Sequence, residues 1–137
     1  MACTVLGYDD SPGSKAALET AVELAGAYGD ELVIGFGFAP PTRAGEEYGE
    51  HEGALRELGE RLTADALARA RAAGVAARVE LVEDSPAAAL VALAERHGAR
   101  FIVVGSYGES PIKGAILGST PHKLLHLAAT PVVVVPA

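Results

Sequence analysis

From Gly105 to Pro121 the chain reads Gly-Ser-Tyr-Gly-Glu-Ser-Pro-Ile-Lys-Gly-Ala-Ile-Leu-Gly-Ser-Thr-Pro. Glycines let backbone N–H groups turn inward and let an anion approach without a Cβ in the way. The stretch also delivers Gly118, Ser119 and Thr120 to the start of a predicted helix, where free amides and the helix dipole favour negative charge. Phosphate binding is the chemistry these residues suggest. The P-loop and GxGxxG patterns are both absent from the chain. His122 and His126 have the i, i+4 spacing of a two-histidine metal site. With no intervening Glu and no third ligand nearby in sequence, they read as surface histidines, and His51 and His97 are unremarkable. No Ser-His-Asp or Cys-His arrangement can be argued, so no catalytic residue is assigned.

The elements that must position the glycine-rich stretch alternate strand and helix. Thr4–Tyr8 is a first apolar run, followed by Asp9, Asp10 and a Ser11-Pro12 helix start, with Gly29 as the helix end. Leu32–Phe38 is the second strand. Residues 39–52 carry no apolar period and read as a surface loop. A long helix then presents Leu55, Leu58, Leu62, Ala66 and Ala70 on one face and ends at Gly74. A third strand is expected near Val75–Val82, and Ser85-Pro86 opens a helix closed by Gly98. Phe101–Val104 is a continuous apolar run, as in a strand covered on both faces. A short helix from Thr120 to Ala129 and a last strand, Val132–Val135, complete the order. Strands separated by helices imply an α/β fold, an open, doubly wound, five-stranded parallel sheet with helices on both faces. Residues 1–137 are expected to form a single domain. In such sheets ligands sit beyond the carboxyl ends of the strands at a switch point.

Composition narrows the function classes. The 137 residues carry a net charge of −7, with half of them apolar and 21% charged. That balance argues against a nucleic-acid binder, which usually has a basic face. No run is long and apolar enough for a membrane span, and the start lacks a basic targeting region, so a cytoplasmic protein is expected. The lone Cys3 excludes an internal disulfide and reads as a small apolar strand residue. The acidic stretch 43–60 sets two Arg against six Glu and reads as solvated.

Gly105-x2-Gly108-x9-Gly118-Ser119 resembles the nucleotide-binding signature of the universal stress protein family. Asp9-Asp10-Ser11 resembles that family's Asp-Gly-Ser, Ser85-Pro86-Ala87 its turn before the third helix, and Thr130–Val135 its last strand. The resemblance implies an adenine nucleotide alpha hydrolase-like fold and an ATP site that includes Gly7, Tyr8, Asp9, Gly37, Val104, Gly105, Tyr107, Gly108, Gly118, Ser119 and Thr120. Asp9 would accept from the adenine amino group or ribose, and Gly37 would present backbone atoms to the adenine edge. Gly105 and Gly108 would lie along ribose and phosphates, with Gly118, Ser119 and Thr120 at the β- and γ-phosphates. No side chain is assigned to a metal; Mg²⁺ or Mn²⁺ would bridge the phosphates. Three positions depart from the family pattern. Asp10 stands where Gly is usual, Glu109 where a basic or neutral residue is frequent, and Gly37 where Val commonly packs on adenine, which leaves stacking to Phe36 or Phe38.

The function expected on this basis is a nucleotide-responsive regulatory module in stress response, in which ATP orders the 105–119 and 39–52 segments and changes a surface that a protein client reads. No general base or arginine finger is evident, so any hydrolysis is expected to be slow. The resemblance also implies a homodimer paired through Val132, Val133, Val134 and Val135, an apolar edge that needs cover. The alternatives are a dimeric interaction scaffold that binds no nucleotide and a slow ATPase.

Overall fold

The computed structural model describes residues 2–38, 45–106 and 118–137. Within them the order is β1 (Cys3–Gly7), α1 (Pro12–Tyr28), β2 (Glu31–Phe38), α2 (Gly45–Ala72), β3 (Ala77–Glu83), α3 (Pro86–His97), β4 (Phe101–Gly105), α4 (Ser119–Leu127) and β5 (Val132–Val135). All five strands pair in parallel in the order β3-β2-β1-β4-β5. The chain switches direction between β1 and β4, which opens a crevice at their carboxyl ends.

Alternation along the strands divides the core in two. Leu6, Leu32, Ile34 and Val103 pack with Leu18, Ala21 and Val22 of α1 and with Ala66 and Ala70 of α2. On the opposite face Val5, Val33, Ile102 and Val104 meet Leu90 and Leu93 of α3 and Leu124 of α4. The central strands are buried on both sides, hence their continuous apolar runs. Thr4 is the exception. It is fully buried in β1, and its Oγ1 is the one buried side-chain polar atom without a hydrogen-bond partner among the described residues. Thr4→Val keeps the shape and removes that desolvated hydroxyl. The variant is expected to be about 1 kcal/mol more stable, read as a higher urea midpoint at an unchanged slope.

The helix ends follow their capping chemistry. Ser11 Oγ accepts from Ser14 N at 3.2 Å with Pro12 in the first turn, and Gly29 closes α1 at φ 69°. Ser85 makes no such side-chain bond; the neighbouring Asp84 Oδ1 accepts from the Ser85 N–H at 2.8 Å instead.

Several boundaries differ from those read in the sequence. Residues 45–52 belong to α2 rather than to a loop, while 39–44 lie outside the described residues. Glu52 and Arg56 form an i, i+4 ion pair at 3.1 Å within α2, and the buried Thr63, Ala66 and Ala70 follow further along it. Strand β3 starts at Ala77, because the Val75 N–H is spent on Ala70 O in the turn that ends α2. Helix α4 runs Ser119–Leu127, one residue earlier at its start and two shorter at its end than expected.

His97 also has a larger role than its sequence context suggests. Its Nε2 meets the Glu80 carboxylate and its Nδ1 lies 2.9 Å from Arg78 Nη2. The edge strand β3 is thereby tied to the end of α3 and carries charge along one face, a feature that discourages edge pairing.

Candidate functional site

An open cleft of about 550 Å³ lies at the carboxyl ends of β1, β2 and β4, between the starts of α1, α3 and α4. Of the residues singled out in the sequence, Gly7, Tyr8, Asp9, Gly37, Val104, Gly105 and Thr120 line it. Gly118 and Ser119 immediately precede Thr120 at the start of α4 without lining the cleft. Tyr107 and Gly108, like Glu109 and Lys113, lie outside the described residues.

The glycines give the cleft its shape. A Cβ at Gly105 would stand 2.5 Å from the carbonyl carbon and oxygen of Gly13, so the end of β4 and the first turn of α1 touch backbone to backbone. A Cβ at Gly7 would stand 2.7 Å from Leu90 Cδ1. At Gly37 it would meet Ala89 Cβ at 2.8 Å and the Asp84 carbonyl oxygen at 3.0 Å. The space that a valine would need at Gly37 is thus filled by the start of α3. Of the two aromatic residues proposed to stack, Phe36 borders the cleft with its ring against Gly59 of α2. Phe38 does not border it; it is buried, with the Arg56 guanidinium 5.3 Å from its ring centre.

Asp9 stands at one rim, with Asp10 beside it outside the lining. Asp9 Oδ1 accepts from the Ser11 N–H at 3.1 Å, a bond that fixes the turn into α1. Asp10 takes the left-handed region at φ 66°, which Asp tolerates better than most residues. Its carboxylate accepts from the Tyr8 hydroxyl at 3.0 Å and lies 3.7 Å from Lys15 Nζ. Burial, and then the Asp10 carboxylate, push the Tyr8 hydroxyl well above its ordinary pKa, so it remains a donor to Asp10 at neutral pH.

The opposite wall is the start of α4. Gly118 occupies the N-cap with no side-chain cap, and the first turn holds Ser119 and Thr120. Gly118 N–H donates to Ser106 O at 2.6 Å, so that amide is already engaged; the amides offered by this helix start are those of Ser119 and Thr120. Among the described residues no group of three or more His, Cys, Asp or Glu side chains is placed to hold a metal.

Ser11, Ser14, Gly35, Pro86, Leu90 and Pro121 also line the cleft and were not assigned to a site in sequence. The signal for them is topological. Gly35 pairs with Gly7 at the end of β1, and the others sit in or beside the first turns of helices that the switch point brings together.

The sequence profile of the universal stress protein family matches residues 4–136. A universal stress protein of Mycolicibacterium smegmatis is 35% identical over 138 residues, which cover 96% of this chain and 44% of that protein. A second, from Mycobacterium tuberculosis, is 33% identical over 147 residues, covering 96% of this chain and 93% of the relative. The chain thus spans less than half of the first relative and nearly all of the second. Among solved structures, a universal stress protein in complex with cAMP superposes with a TM-score of 0.73 at 29% identity, covering 98% of this chain and 96% of that one. The universal stress protein of Archaeoglobus fulgidus in complex with dAMP shares the fold, with a TM-score of 0.71 at 20% identity over 98% of this chain and 97% of that one. With a family profile over nearly its whole length and relatives more than 30% identical over 96% of it, this chain belongs to the universal stress protein family.

Proposed function

We propose that the cleft binds an adenine nucleotide and that the chain acts as a nucleotide-responsive regulatory module of the stress response. The observation that carries this reading is the cleft itself: a glycine-walled crevice at the switch point, with hydrogen-bonding groups at one rim and a helix start at the other. The relative holding cAMP supports it. In this reading Asp9 accepts from the adenine amino group or ribose, Gly37 presents backbone to the base, and Gly105 lies along the ribose. Ser119 and Thr120 supply first-turn amides to phosphate, with Gly118 acting through the cap geometry rather than its own N–H. ATP is the leading candidate, with Mg²⁺ or Mn²⁺ offsetting phosphate charge that few local cations can balance. Binding changes the surface around the cleft for a protein client in the cytoplasm. The free edge of β5, Val132–Val135, pairs with a second copy. A dimeric scaffold without nucleotide is the second reading, favoured by the Asp9 carboxylate at the rim and the Asp10 carboxylate next to it.

Thermal unfolding with and without millimolar ATP and Mg²⁺, beside GTP, tests the proposal. A ligand at 100 times its dissociation constant adds about 2.7 kcal/mol, a shift of several degrees in Tm. The shift is expected with ATP and reduced in Asp9→Asn, which keeps an oxygen for the Ser11 N–H while removing the charge. No shift with any nucleotide refutes the site and leaves the scaffold.

A further inference from the structure

We propose that His122 and His126 form a second ligand site on α4, one for a borderline divalent transition-metal ion such as Zn²⁺ or Ni²⁺, with solvent completing the coordination. In sequence these two read as ordinary surface histidines; the geometry of the helix changes that reading. Helix α4 is anchored by Pro121 and Leu124, both buried, while His122 and His126 are exposed. Their i, i+4 spacing places them one above the other, and their ring centres are 5.0 Å apart with 76° between the planes.

That separation matches a chelate. With Zn–N bonds of about 2.1 Å and ring centres about 1.2 Å behind each nitrogen, two imidazoles on one tetrahedral ion hold their centres about 5.4 Å apart. Ligation constrains where the nitrogens point and leaves the tilt between the planes free. Because both residues sit on one helix, the pair is held close before the ion arrives, and the ordering cost of binding is small.

The surroundings favour a cation. His126 lies in the last turn, at the negative end of the helix dipole, and the chain carries a net charge of −7. Lys123, also exposed, is the one basic residue between the two histidines. His97 is not a competing ligand, because both of its nitrogens face Arg78 and Glu80. Cys3 is buried.

An imidazole pair selects Zn²⁺, Ni²⁺ or Cu²⁺ over Mg²⁺. The site is thus chemically distinct from any Mg²⁺ carried on nucleotide phosphates. Two protein ligands leave two positions of a tetrahedral ion for water or an exchangeable group.

Calorimetric titration of the full chain with Zn²⁺ at pH 7.5, without nucleotide, decides the matter. One ion per chain is expected, with affinity falling at least about tenfold in each of His122→Ala and His126→Ala. Mg²⁺ is expected to give no heat at the same concentrations. Both substitutions are on the surface, so metal-free Tm stays at the wild-type value and a loss of binding cannot be ascribed to unfolding. Absence of Zn²⁺ binding at millimolar concentration overturns the proposal, and so does unchanged affinity in the double variant.

Discussion

Gly105→Ala is expected to lower stability by roughly 3 kcal/mol, a fall of about 10 °C in Tm for a chain of this size. The added methyl meets no flexible side-chain end. It stands 2.5 Å from the carbonyl carbon and oxygen of Gly13 and 2.9 Å from its Cα, all of them backbone in the first turn of α1. To admit it, α1 must move away from β4, against which it packs through Leu18 and Val22. The matched comparison is Gly53→Ala on α2, where nothing lies within 4 Å of the new Cβ and the backbone is helical. That change is expected to raise stability by up to about 1 kcal/mol. Urea unfolding of the two variants beside the parent measures the contrast. A Gly105→Ala midpoint equal to wild type would show that the two backbones do not meet as described.

Arg100→Met should lower stability, read as a lower urea midpoint at an unchanged slope. The Asp30 side chain is 2% exposed, and Arg100 holds both of its oxygens, Nε to Oδ2 at 2.9 Å and Nη2 to Oδ1 at 3.3 Å. The guanidinium also lies 4.2 Å from the Tyr28 ring centre, and Tyr28 in turn packs edge-on against Phe101. Methionine retains much of the stem but leaves a buried carboxylate without its partner. Adding Asp30→Asn to the variant is expected to recover part of the deficit, and the double-mutant cycle isolates the pair from the stacking. A deficit unchanged by Asp30→Asn would assign the effect to Tyr28 packing.

The sheet and its order of elements were legible because each buried strand leaves a run of apolar residues and most helices start or stop at Ser-Pro or Gly. Leu32–Phe38 and Phe101–Val104 are of this kind. The first turns of α2 were not legible. Residues 45–52 carry no apolar period in sequence, so Glu50 and Glu52 gave the composition of a loop. Long-range polar pairing was equally silent. Nothing near Arg100 points to Asp30, seventy residues earlier, nor does the context of His97 point to Glu80. In the cleft, Asp9 was named through its resemblance to the family's Asp-Gly-Ser, and Gly105 through the glycine-rich stretch and the same resemblance. Ser14 and Leu90 were not, since their role depends on helix orientation. Gly118 shows a further limit: its type and place suggested an amide for ligand, whereas that amide bonds to a carbonyl twelve residues back.

That same bond has a mechanical corollary. Ser106 donates its own N–H to Val135 O and its carbonyl accepts from the Gly118 N–H, so one residue joins the end of β4 both to the edge strand β5 and to the start of α4. A displacement of the Ser106 backbone is therefore passed at once to the sheet edge and to the helix start that forms one wall of the cleft.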